Sequence, residues 1–131
     1  MKNINIGSCG IAEMMIDDST LAVNVGSGSL QVFATPAMTM LMEKAACKCL
    51  ENYLEDNETT VGTELNVKHI SATPKGMMVS AKAVLTNIND REFVFEVTAE
   101  DECGDIGTGI HKRFLVYADK FLNKVNLKLN K

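Results

Sequence analysis

Three polar residues hold the chemistry this sequence offers: Thr35, Glu43 and His69. A carboxylate with an imidazole near it can activate water or attack an acyl carbon, and a hydroxyl beside them can orient either group. Each residue also has an ordinary explanation. His69 falls in register with the apolar residues Leu65 and Val67, so it can equally be a buried histidine satisfied by a backbone carbonyl. Glu43 lies about 140° around a helix from Met38, at the margin of the apolar stripe, where a glutamate is usually solvated. Thr35 is placed to cap that helix through its hydroxyl.

Geometry links the three. The first turn of a helix packed into a curved sheet aims N–H dipoles at a spot that an inward strand residue can reach, and such a spot favours developing negative charge. Pro36 has no N–H, so an oxyanion contact must come from Ala37, Met38, the Thr35 hydroxyl or a strand amide. Gly62 is the candidate strand position, because a glycine inside a strand lets another group approach the backbone.

Other features point less sharply. His111, Lys112 and Arg113 form a local cationic cluster, either an exposed strand end or a contact for an anionic ligand. Cys47 and Cys49 lie about 200° apart on a helix and cannot clamp one metal ion. Without a histidine neighbour they offer no activated thiol either. No metal and no cofactor is expected. Gly107-Thr108-Gly109 is too short for a phosphate loop and lacks its lysine. Met38, Met40 and Met42 suit a core or a dimer seam, which an acyl tunnel could adjoin.

The elements that must position these groups follow from periodicity. Thr35 to Leu54 is predicted as the one long helix, with Met38, Leu41, Met42, Ala45, Cys49 and Tyr53 at three- and four-residue steps and Pro36 at its first position. Ahead of it, Thr20 to Val25 reads as a strand, Gly26 to Ser29 as a turn and Leu30 to Phe33 as an extended lead-in. After it, Thr59 to Ser71 alternates, with Val61, Thr63, Leu65, Val67 and His69 on one face. Met77 to Ile88, Glu92 to Glu100 and Ile106 to Tyr117 are further strands, and Phe93, Phe95, Val97 and Ala99 form the apolar face of the second. A short helix over Ala118 to Val125 follows.

One long helix and an antiparallel meander with one-sided apolar faces imply an α+β domain in which a curved sheet wraps the helix. The hot-dog fold is that arrangement, and ferredoxin-like or cystatin-like folds would produce similar patterns. With 131 residues and 46% hydrophobic content, residues 1–131 are expected to form one domain burying roughly two-thirds of its unfolded surface. A net charge of −4 with 13 scattered Lys and Arg leaves no basic footprint for nucleic acid. Neither a signal peptide nor an apolar run of about 18 residues is present, so the expectation is a cytoplasmic chain without a membrane partner and with reduced cysteines.

Three stretches resemble the fluoroacetyl-CoA thioesterase-like family of hot-dog acyl-CoA thioesterases: Phe33-Ala34-Thr35-Pro36-Ala37-Met38 through Glu43, Thr60-Val61-Gly62-Thr63 through His69 to Gly76, and Asp105 through Gly109-Ile110-His111-Lys112-Arg113-Phe114. The likeness spans roughly Leu21 to Val125. It implies hydrolysis of a small or medium acyl-CoA to free acid and CoA, with Thr35, Glu43 and His69 catalytic. It further implies that Gly62 and Phe33 line the acyl site, that Arg113 contacts or orders groups near it, and that the protein is a homodimer with active sites at the interface. The family's specialist for the fluorinated substrate has a longer, aromatic-bearing lid ahead of the threonine and a glycine in place of Pro36. This chain has neither, so a different acyl group is expected. A non-catalytic acyl-CoA-binding module and a structural dimer without ligand are the rival readings. A hot-dog dehydratase fits less well, since that family's histidine-bearing helix motif is missing.

Overall fold

The predicted meander forms a single antiparallel sheet. The computed structural model describes Met1–Lys131 as β1 (Cys9–Met15), α1 (Ala22–Val25), α2 (Thr35–Leu50), β2 (Glu58–His69), β3 (Met78–Asn89), β4 (Glu92–Asp101), β5 (Gly104–Tyr117) and α3 (Ala118–Asn126). The strands lie in the order β1-β3-β4-β5-β2, so β1 and β2 are the two edges. The sheet wraps α2, which packs chiefly on β1 and β3. This is the hot-dog arrangement. No helix is long and apolar enough to cross a membrane.

The core is what the alternation required. Phe93, Phe95, Val97 and Ala99 of β4 are at most 2% exposed, as are Met38, Leu41, Met42, Ala45 and Leu50 of α2. Each large side chain so buried contributes about 1.5–3 kcal/mol. Met38 and Met42 reach β5 because Gly107 has no side chain: a Cβ there would stand 2.5 Å from Met38 Sδ. Met40 is exposed, so the methionines divide between core and surface.

Three local features depart from the sequence reading. Thr20 to Val25 is not a strand: a 3-10 turn over Asp18–Thr20 leads into the short helix α1, which ends at Gly26 with a left-handed φ of 89°. Strand β1 falls in a stretch with no readable strand pattern, because its inward residues Gly10 and Ala12 are small. A Cβ on Gly10 would collide with the Ala45 carbonyl and the Cys49 amide, so close approach of α2 forbids the large residues that announce a strand.

The third departure is the phase of β2. A bulge at Thr63 shifts the register between Gly62 and Glu64, and an inserted residue moves every side chain before it to the other face relative to those after it. Leu65, Val67 and His69 do face inward as expected. Before the bulge, Thr60 and Gly62 are the inward residues, opposite Leu115 and Arg113, and Val61 pairs with the outward-facing Phe114.

Candidate active site

Helix α2 begins one residue earlier than capping by Thr35 would require. Ala34 holds the N-cap position in extended conformation, no side chain caps the helix, and Thr35 is its first residue. The Thr35 hydroxyl is therefore free of the helix. It lies 2.8 Å from His69 Nδ1, at the end of β2. The lead-in to α2 is tied down by backbone bonds from Phe33 N to the Thr73 carbonyl and from Ala34 N to the Thr20 carbonyl, both 2.8 Å. Phe33 is buried and sets its ring edge-on to His69, with centroids 6.4 Å apart.

His69 Nε2 is buried without a hydrogen-bond partner. A buried polar atom left unpaired costs about 1–3 kcal/mol, and His69 borders an open cleft. Burial pushes the imidazole pKa below its usual value, and the Ser71 backbone partly opposes the shift. A cleft of about 260 Å³ opens here, lined by Ala22, Ser27, Phe33, Thr35, His69 and Ser71 among others.

A second cluster sits further along α2. Glu43 is half-exposed, and its Oε2 stands 3.6 Å from Arg113 Nη1. Arg113 is 7% exposed, and its guanidinium donates from Nε to Thr60 Oγ1 at 2.9 Å and from Nη2 to the Thr60 carbonyl at 3.0 Å. His111 is 1% exposed and lies 3.2 Å from Arg113 Nη1. Gly62 makes room for all of this: a Cβ there would come within 3.0 Å of Glu43 Oε2 and 3.3 Å of Arg113 Nη1. A cleft of about 250 Å³ beside Glu43 is lined by Gly62, Thr63, Glu64, Leu65 and His111.

The chain thus brings Thr35 to His69 but keeps Glu43 apart from both. Eight residues of helix separate Thr35 from Glu43, about 12 Å of rise, and no hydrogen bond joins the two clusters. The supposed cationic cluster is also divided, since strand alternation turns His111 and Arg113 inward and sends only Lys112 out, 3.6 Å from Glu64. Ala37 N and Met38 N both bond the Ala34 carbonyl at 3.0 Å, which removes them as oxyanion donors. The Thr35 hydroxyl and strand amides remain. Thr60 is a polar residue that sequence reasoning did not single out, and His111 was named only as part of a cationic cluster, not as the buried partner of Arg113. Thr60 was hidden by the bulge, and His111 by its charged neighbours. Burial pushes the Cys49 thiol up to about 11, out of the range of a nucleophile.

Comparison with known proteins identifies the family and the fold. The family model for fluoroacetyl-CoA-specific thioesterases matches residues 16–119. A fluoroacetyl-CoA thioesterase from Streptantibioticus cattleyicolor is 39% identical over 98 residues, covering 75% of this chain and 70% of that protein. The solved structure of the fluoroacetyl-CoA thioesterase FlK superposes with a TM-score of 0.91 at 29% identity, over 97% of this chain and 98% of that one. A thioesterase superfamily member from Thermus thermophilus shares the fold, with a TM-score of 0.90 at 23% identity over 99% of this chain and 96% of that one.

Proposed function

Because the chain belongs to the fluoroacetyl-CoA-specific thioesterase family, we propose that it hydrolyses a small or medium acyl-CoA to free acid and CoA, using Glu43, His69 and Thr35. Family membership makes it a thioester hydrolase of the hot-dog type. The residue roles and the acyl size are the proposal. What carries it is the Thr35–His69 hydrogen bond with His69 Nε2 left unpaired in the cleft. A catalytic role is one that accounts for a buried ring nitrogen without a partner, and the hydroxyl on the other nitrogen supports that reading.

In the reaction, Glu43 either takes a proton from water as it adds to the thioester carbonyl or attacks that carbonyl itself. The carbon–sulfur bond then breaks and CoA leaves as the thiol; where Glu43 itself attacked, water next hydrolyses the resulting mixed anhydride, releasing the acid and restoring the carboxylate. His69 moves the proton and Thr35 holds its ring. Gly62 and Phe33 border the acyl group, and Arg113 orders Glu43 rather than meeting the substrate, since most of its donors are engaged. The fluorinated acyl group is not carried over: the stretch ahead of Thr35 is α1 and a short turn containing Gly26 and Gly28, with Leu30 exposed and Phe33 buried.

The separation of Glu43 from His69 within one chain supports a homodimer with composite sites. Strand β2 is a 12-residue edge, and its free N–H and C=O groups are a template for a second copy. Antiparallel pairing of two β2 strands about a two-fold axis near Asn66 would set the Glu43–Gly62 cluster of one copy beside Thr35 and His69 of the other. The test is release of free thiol from a panel of acyl-CoA esters. Wild type should hydrolyse at least one member, and Glu43→Gln should lower its kcat by about 10²–10⁴-fold. Silence across the whole panel defeats the activity, and an undiminished Glu43→Gln defeats the role of Glu43.

A further inference from the structure

His111 belongs to neither the sheet's apolar packing nor the set of groups assigned to the reaction, yet it is one of the most buried polar residues of the chain. It faces inward from β5 between Leu65 of β2 and Phe95 of β4, and Phe95 stacks on its ring with centroids 6.3 Å apart at an interplanar angle of 28°. Its two nitrogens meet opposite kinds of partner. Nδ1 is 2.8 Å from the backbone carbonyl of Glu64, which can only accept. Nε2 is 3.2 Å from Arg113 Nη1, which can only donate. One form of imidazole satisfies both, the neutral ring with its proton on Nδ1.

The neighbours hold it in that form. The Glu64 carbonyl is aimed by the bulge at Thr63, and the Glu64 carboxylate turns away to Lys112 on the outer face. The charges that face the ring are the Arg113 guanidinium from its own strand and the Glu43 carboxylate from α2; β4 contributes only Phe95. A second ring proton would set an N–H against Nη1 and a cation against a cation. With Nε2 bare, the same Nη1 is drawn to the point from which it also reaches Glu43 Oε2, at 3.6 Å.

We propose that His111 is a positioning residue: as the neutral Nδ1–H imidazole it fixes the Arg113 guanidinium, and through it the rotamer of Glu43 above Gly62. The proposal rests on the reading of Glu43 as the acting carboxylate. A half-exposed glutamate has several rotamers open to it, and catalysis needs the one that faces the thioester, so an ordered guanidinium below it raises kcat rather than substrate affinity.

The experiment has two arms. In the first, His111→Leu should lower kcat by about 10–100-fold while KM changes by less than about threefold. His111→Gln, whose amide oxygen can accept from Arg113, should recover at least about fivefold of that loss. In an Arg113→Met background, His111→Leu should cost less than about twofold more, because the two residues act in series. A His111→Leu enzyme with wild-type kcat, alongside an inactive Glu43→Gln, overturns the inference and leaves the reading of Glu43 intact. A fully active Glu43→Gln defeats that reading instead. In the second arm, nitrogen NMR of the wild-type imidazoles should show His111 protonated at Nδ1 alone from pH 8 to pH 6, an outcome independent of whether any variant folds. A His111 carrying its proton on Nε2, or on both nitrogens, overturns the inference.

Discussion

The Thr35 hydroxyl stands 2.8 Å from His69 Nδ1, and that bond joins the first residue of the central helix to the last residue of an edge strand. It leaves the other ring nitrogen buried and unpaired. A hydroxyl that capped the helix could not do this, since its lone pairs would be turned toward the amides of the first turn.

Substitution of Thr35 therefore separates the two roles. Thr35→Val should lower kcat by about 10–100-fold and leave the melting temperature nearly unchanged, because Ala34 occupies the cap position. Thr35→Ser should keep activity within a few-fold. A stability loss of about 1 kcal/mol with kcat unchanged in Thr35→Val would be the mark of a purely structural hydroxyl instead, and calorimetry beside thiol-release kinetics distinguishes the outcomes.

Composite sites can be tested by complementation. Mixing inactive Glu43→Gln with inactive His69→Ala and allowing subunits to exchange should restore about one quarter of wild-type activity: random exchange makes half the dimers mixed, and one of the two sites in each is then fully wild type. Sites built from one chain alone would stay inactive after exchange. The measured quantity is thiol release before and after mixing.

Gly62 sits where any side chain would push on Glu43. Gly62→Ala places a methyl 3.0 Å from Glu43 Oε2, and the glutamate, being half-exposed, can swing away. The expected result is a drop in kcat of about tenfold with a stability change under about 1 kcal/mol, read by kinetics and denaturant titration on the same sample. Loss of stability without loss of kcat would contradict the placement.

Acid should destabilise the protein through its two histidines. Burial depresses the pKa of both His69 and His111 below the usual 6.5, so the unfolded chain takes up protons first as the pH falls. The stability these groups allow is complete above about pH 6.5 and declines below it until the folded-state values are passed. The carboxylates of Asp17 and Asp101 have lowered pKa values and act in a separate, more acidic window. Urea midpoints should be flat from pH 8 to pH 7 and fall from pH 6.5 downward, with a shallower fall in His111→Gln.

The amino-acid pattern alone determined the long helix, the four-strand succession from β2 to β5, the buried face of β4 and which polar residues stand out. Those properties are local: a repeat of 3.6 or 2 residues states which side of an element is buried before anything else is known. Strand β1 escaped because packing against α2 demands small residues such as Gly10, and small residues carry no periodic signal. Residues 20–25 escaped because their apolar run suits a strand and a short helix equally. For the candidate site the division is sharper. Sequence named Thr35, Glu43 and His69, but only tertiary structure decided that Thr35 serves His69 instead of the helix, that Glu43 lies a helical distance away beside Arg113, and that His111 and Arg113 are buried rather than presented to solvent. The reason is physical. A one-residue bulge at Thr63 reverses the faces of β2, and pairing between strands some 50 residues apart chooses which donors meet which acceptors.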